Sequence, residues 1–183
     1  MEKIPTCFER DWEGDRSRVL DQPHEGCEWV FAGEGAPTKK YDGTCVMFDG
    51  ERWWARREVR EGKEAPGGFK ALSTDDETGK TVGWEPIEGT PFEKFFQEAA
   101  DRPGKVWEPG TYELIGPKIN RNPEGAAKHT LIRHNAAETL GLIDRTYEGI
   151  GVFLTGLDIE GIVFHHPDGR MAKIKKRDFG MRR

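Results

Sequence analysis

The sequence predicts an α+β domain built mostly from antiparallel sheets, and two predicted β-hairpins are the main reason. Thr44–Phe48 and residues 52–57 are rich in strand-forming side chains and flank Asp49-Gly50, a dipeptide that favours a tight turn. Residues 159–164 and 170–174 repeat this pattern further along the chain. Strands joined by short turns pair antiparallel, so these segments predict antiparallel sheet.

Two helices and two further strands complete the prediction. The first helix opens at Thr90-Pro91, with Thr90 as N-cap and Pro91 in the first turn. The second helix is capped by Thr146 and runs through Leu157. Strands are predicted at residues 110–116 and 130–134, and many strands with few helices are typical of the α+β class.

Two stretches are predicted to be less regular. Residues 61–89 are interpreted as a long loop with short strand pieces, because their Gly, Pro, Asp and Thr residues show little periodicity. Residues 1–36 are interpreted as an N-terminal arm packed on a domain of residues 37–183, with one short strand at residues 27–31.

Length, composition and charge narrow the class of protein. The 183 residues can bury a core, and 35% hydrophobic with 33% charged residues is typical of a globular chain in water. No apolar run reaches the length of a membrane span, and the charged start at Met1-Glu2-Lys3 is unlike a signal peptide, so we expect no membrane partner. A net charge of -5 disfavours a simple basic nucleic-acid domain, so a polyanion would need a local basic patch.

The three cysteines indicate a reducing compartment. Cys7, Cys27 and Cys45 are widely spaced and include no C-x-x-C pair, which favours free thiols over a disulfide framework or a structural zinc site. We therefore expect a cytoplasmic protein. His24 and Cys27 are the nearest approach to a metal-ligating pair, and we interpret them as part of a surface loop.

Lys40-Tyr41-Asp42-Gly43 is the first segment with a candidate chemical role. A lysine amine is nucleophilic only when neutral, a state that burial or positive neighbours favour. Asp42 offers a carboxylate and Gly43 a backbone that a ligand can approach closely. Asp-Gly is also a plain turn signal, so the motif gains its meaning from the segments downstream.

Charged residues on later strands extend this site. Arg56 and Arg57 point to opposite faces of their strand, and we interpret Arg57 as part of a solvated strand edge. Glu113 and Glu160 each place a carboxylate among apolar neighbours, which costs free energy unless a cation or a ligand pairs with it.

The last predicted strand carries a pair of lysines. Lys173 and Lys175 share one face of it, because strand residues two apart point the same way. Two such ammonium groups beside a carboxylate strand suit an anionic phosphate together with a divalent metal.

The order of these motifs resembles that of the covalent lysine nucleotidyltransferases, which comprise ATP-dependent RNA and DNA ligases and mRNA capping enzymes. Their motifs K-x-D-G, an arginine, an acidic strand, E-G-h-V and K-x-K match, in order, Lys40-Tyr41-Asp42-Gly43, Arg56, Glu113, Glu160-Gly161-Ile162-Val163 and Lys173-Ile174-Lys175. The strings Cys27-Glu28-Trp29-Val30, Val82-Gly83-Trp84-Glu85-Pro86 and Glu113-Leu114-Ile115-Gly116 are similar to those of the small ATP-dependent 5′-3′ RNA ligase family.

The resemblance implies an antiparallel-sheet adenylation domain and an RNA ligase reaction. ATP adenylylates Lys40, the AMP passes to an RNA 5′-phosphate, and an RNA 3′-hydroxyl then joins the ends and releases AMP. Lys39, Lys173 and Lys175 supply the positive field that favours the neutral amine of Lys40. Lys173 and Lys175 also neutralise charge on the α-phosphate, and Glu160 holds Mg²⁺, with Mn²⁺ as an alternative.

The resemblance implies nucleotide contacts for five other residues. Glu113 accepts the ribose hydroxyls, and Arg56 grips a phosphate through its planar guanidinium. Asp42 and Gly43 line the nucleotide site. Val163 covers the adenine, with packing in the core as the alternative.

The RNA contacts and the acceptor are the least determined part. The candidates for contact with RNA are Asn120, Asn122 and Lys128, on a polar loop after the acidic strand, and Lys176. The alternative for the loop residues is that their polar side chains only face solvent. Residues 177–183 are too few for the C-terminal OB domain of DNA ligases and capping enzymes, so none is expected. Two alternatives stay open: a nucleotidyltransferase with another acceptor (a capping-type guanylyltransferase or a protein AMPylator), and a non-catalytic nucleotide- or RNA-binding module. The oligomeric state is open as well.

Overall fold

The computed structural model of the protein describes residues 3–75 and 78–183. The predicted charged start and the 61–89 loop therefore lie partly outside the described residues, at Met1, Glu2, Asp76 and Glu77. The described chain is an α+β fold with mostly antiparallel sheets and few helices, as the sequence predicts. The strands, in chain order, are β1 (Phe8–Arg10), β2 (Val19–Pro23), β3 (Ala36–Lys40), β4 (Thr44–Phe48), β5 (Trp53–Val59), β6 (Lys70–Asp75), β7 (Lys80–Pro86), β8 (Gly110–Ile115), β9 (Thr130–Arg133), β10 (Gly161–His165) and β11 (Met171–Lys175). The helices are α1 (Glu28–Phe31), α2 (Glu93–Ala100) and α3 (Tyr147–Thr155).

The chain divides into two compact units. Lys3 and residues 42–136 form what we call the six-strand unit, and residues 4–41 and 137–183 form the three-strand unit. The chain passes from the second into the first between Tyr41 and Asp42. The predicted division into an arm of residues 1–36 and a domain of residues 37–183 stays a prediction.

The six-strand unit is an antiparallel sheet with one helix against it. Its strand order is β6-β7-β5-β4-β8-β9. Val46 and Leu114 are fully buried on one face of the sheet, in a core that includes Phe96 of α2. Because side chains alternate along a strand, the neighbouring residues Cys45 and Glu113 belong to the other face.

The three-strand unit is built around the sheet β11-β10-β3. Ile162, Phe164 and Ile174 are fully buried on one face, in a core that includes Ile150 and Leu154 of α3. The alternate residues of the same strands therefore lie on the opposite face.

Both predicted hairpins are confirmed. β4 and β5 pair antiparallel around Asp49-Gly50, and β10 pairs antiparallel with β11. The second helix is confirmed as α3, with the Thr146 hydroxyl accepting the Gly149 N–H at 3.0 Å, although it ends at Thr155 and not at Leu157.

The strand predicted at residues 27–31 is wrong, because this segment forms α1. Trp29 and the fully buried Val30 are adjacent, and both enter the core of the three-strand unit, which an alternating strand does not allow. Gly33 ends the helix in the left-handed region with φ 86°, and the Glu34 N–H bonds the Trp29 carbonyl. Gly33 was therefore a sequence signal for a helix end, but the strand propensity of residues 27–31 led to the prediction of a strand.

The long loop predicted at residues 61–89 is wrong over much of its length. β6 and β7 pair antiparallel within it, and β7 is an interior strand next to β5. Val82 and Trp84 are buried, and a Cβ on Gly83 would lie 2.3 Å from the Lys70 carbonyl oxygen. Gly83 therefore allows close strand approach, whereas glycine in a sequence first indicates a loop.

The helix predicted from Thr90 begins later than expected. Its N-cap is Phe92, and the Thr90 hydroxyl donates to the Ile87 carbonyl at 2.7 Å and does not cap the helix. Within the described residues, no helix combines the length and the apolar character that crossing a bilayer requires.

Gly161 provides a test of the three-strand sheet. A Cβ at this position would lie 2.1 Å from the Ile174 carbonyl oxygen, so Gly161→Ala must displace backbone in the central strand. Overpacking of this kind costs about 1–3 kcal/mol, which we expect as a loss in the free energy of unfolding measured by denaturant titration.

Gly141→Ala is the matched control in the same unit. Nothing lies within 4 Å of a Cβ there, so this variant should change the free energy of unfolding by less than about 1 kcal/mol. Equal stability of the two variants would contradict the described packing of β10 against β11.

Candidate active site

The predicted nucleophile lies in one row of the three-strand sheet. Gly161 on β10 is directly opposite Lys40 on β3 and directly opposite Lys175 on β11. The three residues therefore share the face turned away from the core. Two lysines from chain segments far apart in sequence thus flank a position that carries no side chain.

The Glu160 carboxylate lies between these two lysines. Lys40 Nζ donates to Glu160 Oε2 at 2.5 Å, and Lys175 Nζ contacts Glu160 Oε1 at 2.6 Å. The side chains are 21%, 14% and 18% exposed for Lys40, Lys175 and Glu160, so all three are largely but not completely withdrawn from water. Two ammonium groups against one carboxylate leave a net positive charge, which favours an anion on this face.

The pKa values of Glu160 and Lys175 reflect this charge balance. Burial alone would raise the pKa of the Glu160 carboxyl, but the charges of Lys40 and Lys175 outweigh it and hold that pKa below its ordinary value. Burial, and then the charge of Lys40, lowers the pKa of the Lys175 ammonium, although Glu160 opposes the shift. The prediction that the Glu160 carboxylate pairs with a cation or a ligand is therefore confirmed, since Lys40 and Lys175 are its partners.

The next row on the same face holds two more predicted residues. Val163 lies opposite Lys173 on one side and Thr38 on the other, and the Thr38 hydroxyl donates to the Val163 carbonyl at 3.1 Å. Val163 is half-buried and Lys173 likewise. The face therefore presents a third lysine two residues along from Lys175.

Lys39 lies on the other face of this sheet. It is paired with the core residue Ile162, and its ammonium lies 4.8 Å from the centre of the Tyr41 ring. The register therefore places Lys39 and Lys40 on opposite faces, and the contribution of Lys39 to a positive field around Lys40 stays a prediction.

Asp42 and Gly43 are held by hydrogen bonds within the six-strand unit. Asn120 Nδ2 donates to Asp42 Oδ1 at 3.0 Å and to the Gly43 carbonyl at 2.8 Å. The Gly43 N–H donates to Glu113 Oε1 at 3.0 Å, and a Cβ on Gly43 would lie 2.3 Å from the Leu114 carbonyl oxygen. This close approach explains why glycine occupies the position.

Glu113 and Arg56 share a face of the six-strand sheet. Tyr112 and Ala55 both pair with Val46 on the core face, so the following residues Glu113 and Arg56 lie on the other face. Arg56 is paired with Trp84, and its guanidinium carbon lies 5.9 Å from the centre of the indole.

The residues predicted to contact RNA occupy different environments. Lys128 and Asn120 are exposed. Asn122 bonds its own loop, donating to the Ala126 carbonyl at 3.1 Å and accepting the Ala126 N–H at 2.9 Å. Lys176 is buried, and its ammonium donates to the Leu157 carbonyl, so it does not offer the accessible cation that the prediction required.

Two residues near Glu113 were not predicted from the sequence. His134 Nε2 lies 2.9 Å from Glu113 Oε2, and His134 Nδ1 lies 2.9 Å from the Thr111 hydroxyl. Cys45 is paired with Glu113 across β4 and β8. Thr111 and Glu113 are two residues apart on a strand, so the sequence could show that their side chains point the same way. Only the strand register shows that His134 and Cys45 lie beside them.

A pocket of about 670 Å³ lies elsewhere in the three-strand unit. It is lined by residues that include Phe31, Pro37, Leu140 and Arg145, and no predicted site residue is among them. This pocket is therefore not part of the candidate site.

No protein-family model matches the chain, and no curated protein sequence matches it.

The Glu160 ion pairs give a pH-dependent prediction. A carboxyl whose pKa is lowered in the folded state stabilises the fold above its ordinary value near 4.5, and this stabilisation is lost as the pH falls through the folded-state pKa. At pH 7 we expect Glu160→Gln to lower the free energy of unfolding by about 1.5–3 kcal/mol. The difference from the unsubstituted protein should shrink as the pH falls below 4.5, measured by denaturant titration at each pH.

Glu25→Gln is the control, because Glu25 is exposed in the same unit and should show little difference at either pH. A Glu160→Gln deficit that stays constant down to pH 3 would contradict the ion-pair account.

Proposed function

We propose that the protein is an ATP-dependent RNA ligase that joins 5′-phosphate and 3′-hydroxyl ends through a lysyl-AMP intermediate on Lys40. The observation that carries the proposal is the row of Lys40, Gly161 and Lys175 with the Glu160 carboxylate between the two ammonium groups. These residues belong to K-x-D-G, E-G-h-V and K-x-K, three of the motifs on which the resemblance to covalent nucleotidyltransferases rests.

The first step transfers AMP to the lysine. Lys40 Nζ forms a bond to the α-phosphorus of ATP while the bond from that phosphorus to the bridging oxygen breaks, and pyrophosphate leaves. Before attack the amine must lose a proton to solvent; Glu160 Oε2, 2.5 Å from Nζ, holds the lysine in place, and its lowered pKa makes it a weak base. The net positive charge of the cluster favours the triphosphate over solvent at this face.

Lys175 and Lys173 act on the α-phosphate by their charge. Both lie on the face that carries Lys40, in the same row and the next row of the sheet. Fixed ammonium groups placed where phosphate charge develops stabilise the transition state without reorganisation at the moment of reaction.

Glu160 fits the expected divalent metal in its chemistry. A carboxylate is a hard oxygen ligand, and Mg²⁺ typically uses one or two carboxylates together with substrate phosphates. Bound Mg²⁺ or Mn²⁺ would supply charge neutralisation for the triphosphate. In its absence the two ammonium groups satisfy the carboxylate.

Residues of the six-strand unit take the nucleotide contacts that the resemblance assigns to them. The Gly43 N–H fixes Glu113 Oε1, which orients the carboxylate proposed to accept the ribose hydroxyls. The Arg56 guanidinium offers a planar fork for a phosphate on the same face of the sheet.

The later steps need an RNA acceptor. The AMP passes from Lys40 to the RNA 5′-phosphate and forms a pyrophosphate linkage, and the 3′-hydroxyl then attacks that 5′-phosphate and releases AMP. Of the residues predicted to contact RNA, the exposed Lys128 offers an accessible cation.

The test is the mass of the intact protein after incubation with ATP and Mg²⁺. We expect a gain of one AMP, since a covalent intermediate forms without RNA, and loss of that gain on addition of 5′-phosphorylated RNA. Lys40→Arg should form no adduct, because an arginine keeps the charge but is not a nucleophile at neutral pH.

Lys94→Ala is the control, because Lys94 is an exposed lysine on α2 and should leave the adduct unchanged. An adduct with GTP and not with ATP would favour the capping-type alternative, and an adduct that RNA does not discharge would favour protein AMPylation. No adduct with either nucleotide on pyrophosphatase-treated protein would contradict the covalent mechanism and favour a binding module.

A further inference from the structure

Three side chains with metal-ligating atoms converge on the six-strand sheet. Among residues 3–75 and 78–183, one cluster of this kind is found, formed by Cys45, Glu113 and His134. The Sγ atom, a carboxylate oxygen and a ring nitrogen all lie within 4.8 Å of one another. Glu113 is buried and the other two are half-buried, so the cluster is withdrawn from water but accessible.

The strand register holds the three side chains in place. Cys45 on β4 lies directly opposite Glu113 on β8, and His134 follows the last residue of β9, where Arg133 pairs with Tyr112. Two paired strands and the short 3-10 turn that follows β9 thus deliver one ligand each to the same face. The two ligands on paired strands are held more rigidly than they would be on loops.

Neighbouring groups orient two of the ligands. The Gly43 N–H donates to Glu113 Oε1 at 3.0 Å, which leaves Oε2 directed towards His134. The Thr111 hydroxyl lies 2.9 Å from His134 Nδ1, so Nε2 is the ring nitrogen that faces the carboxylate. A histidine anchored through one nitrogen and a carboxylate anchored through one oxygen are the usual arrangement around a metal site.

The ligand types select among metals. A thiolate favours zinc-like ions over Mg²⁺ and Ca²⁺, and imidazole and carboxylate are both normal partners of zinc. Ligand atoms in a tetrahedral zinc site are about 3.5 Å apart, and the three atoms here lie within 4.8 Å of one another. Three protein ligands leave the fourth position for water or a bound group.

We propose that Cys45, Glu113 and His134 form a binding site for one zinc-class divalent ion. The Cys45 thiol loses its proton to solvent as the sulfur–metal bond forms. The site does not rest on the proposed nucleotidyl transfer, because it forms within the six-strand unit and is measured without nucleotide. It uses Glu113 Oε2, so an ion bound there would compete with the ribose hydroxyls that the proposed function assigns to this carboxylate.

The other two cysteines are poor competitors for such an ion. Burial raises the pKa of the Cys7 thiol, and it raises that of Cys27 to about 11, so both stay protonated at neutral pH. Both also belong to the three-strand unit. Cys27→Ala is therefore the matched control for removal of a thiol.

The test is titration of the reduced, chelator-treated full-length chain with Co²⁺, a spectroscopic substitute for Zn²⁺. We expect a thiolate-to-cobalt charge-transfer band that saturates at one ion per chain and disappears on addition of Zn²⁺. Cys45→Ser should lose the band, Cys27→Ala should keep it, and Thr111→Val should weaken Zn²⁺ binding by about 10–100-fold, since it removes the histidine anchor.

A second measurement uses the unsubstituted protein, so it does not depend on the folding of a variant. Zn²⁺ should slow alkylation of Cys45 by iodoacetamide, read by peptide mass. The proposal is overturned if the unsubstituted protein shows no cobalt–thiolate band, if the band persists in Cys45→Ser, or if Zn²⁺ leaves the alkylation rate of Cys45 unchanged.

Discussion

The contact of Glu160 with both Lys40 and Lys175 is the interaction on which the candidate active site depends. A carboxylate this far withdrawn from water requires cationic partners, and two ammonium groups held close together repel each other unless an anion separates them. The three charges therefore order one another and leave one positive charge in excess. That excess favours an anion on this face, as the proposed binding of a triphosphate requires.

Strand register explains how distant motifs meet. Lys40 precedes Glu160 by 120 residues, yet β3 and β11 both pair with β10, so Lys40 and Lys175 reach the same row. Directly after Lys40 the chain enters the six-strand unit, where Asn120 and Glu113 fix Asp42 and Gly43. The four-residue K-x-D-G motif thus runs from the end of β3 in the three-strand unit to the residue before β4 in the six-strand unit.

Sequence patterns predicted the features that depend on local chemistry. The two hairpins, the cap at Thr146 and the need of Glu160 for a cation all follow from neighbouring residues, and the structure bears them out. Features that depend on register or packing were missed or wrong. Gly83 lies in an interior strand, and Lys176 is buried against a carbonyl. A sequence does not show which face of a sheet a residue joins until its partner strands are known, and the cluster of Cys45 and His134 around Glu113 was missed for the same reason.

The central claim is that a lysine amine of this sheet is a nucleophile towards ATP. The most direct test is peptide mapping of the protein after incubation with ATP, combined with acid treatment of the adduct. A phosphorus–nitrogen bond is labile to acid, whereas AMP on a hydroxyl or phenol oxygen is not. Our account predicts an acid-labile AMP on Lys40. An acid-stable AMP on the neighbouring Tyr41, or an adduct that maps to a lysine outside the Glu160 cluster, would contradict it.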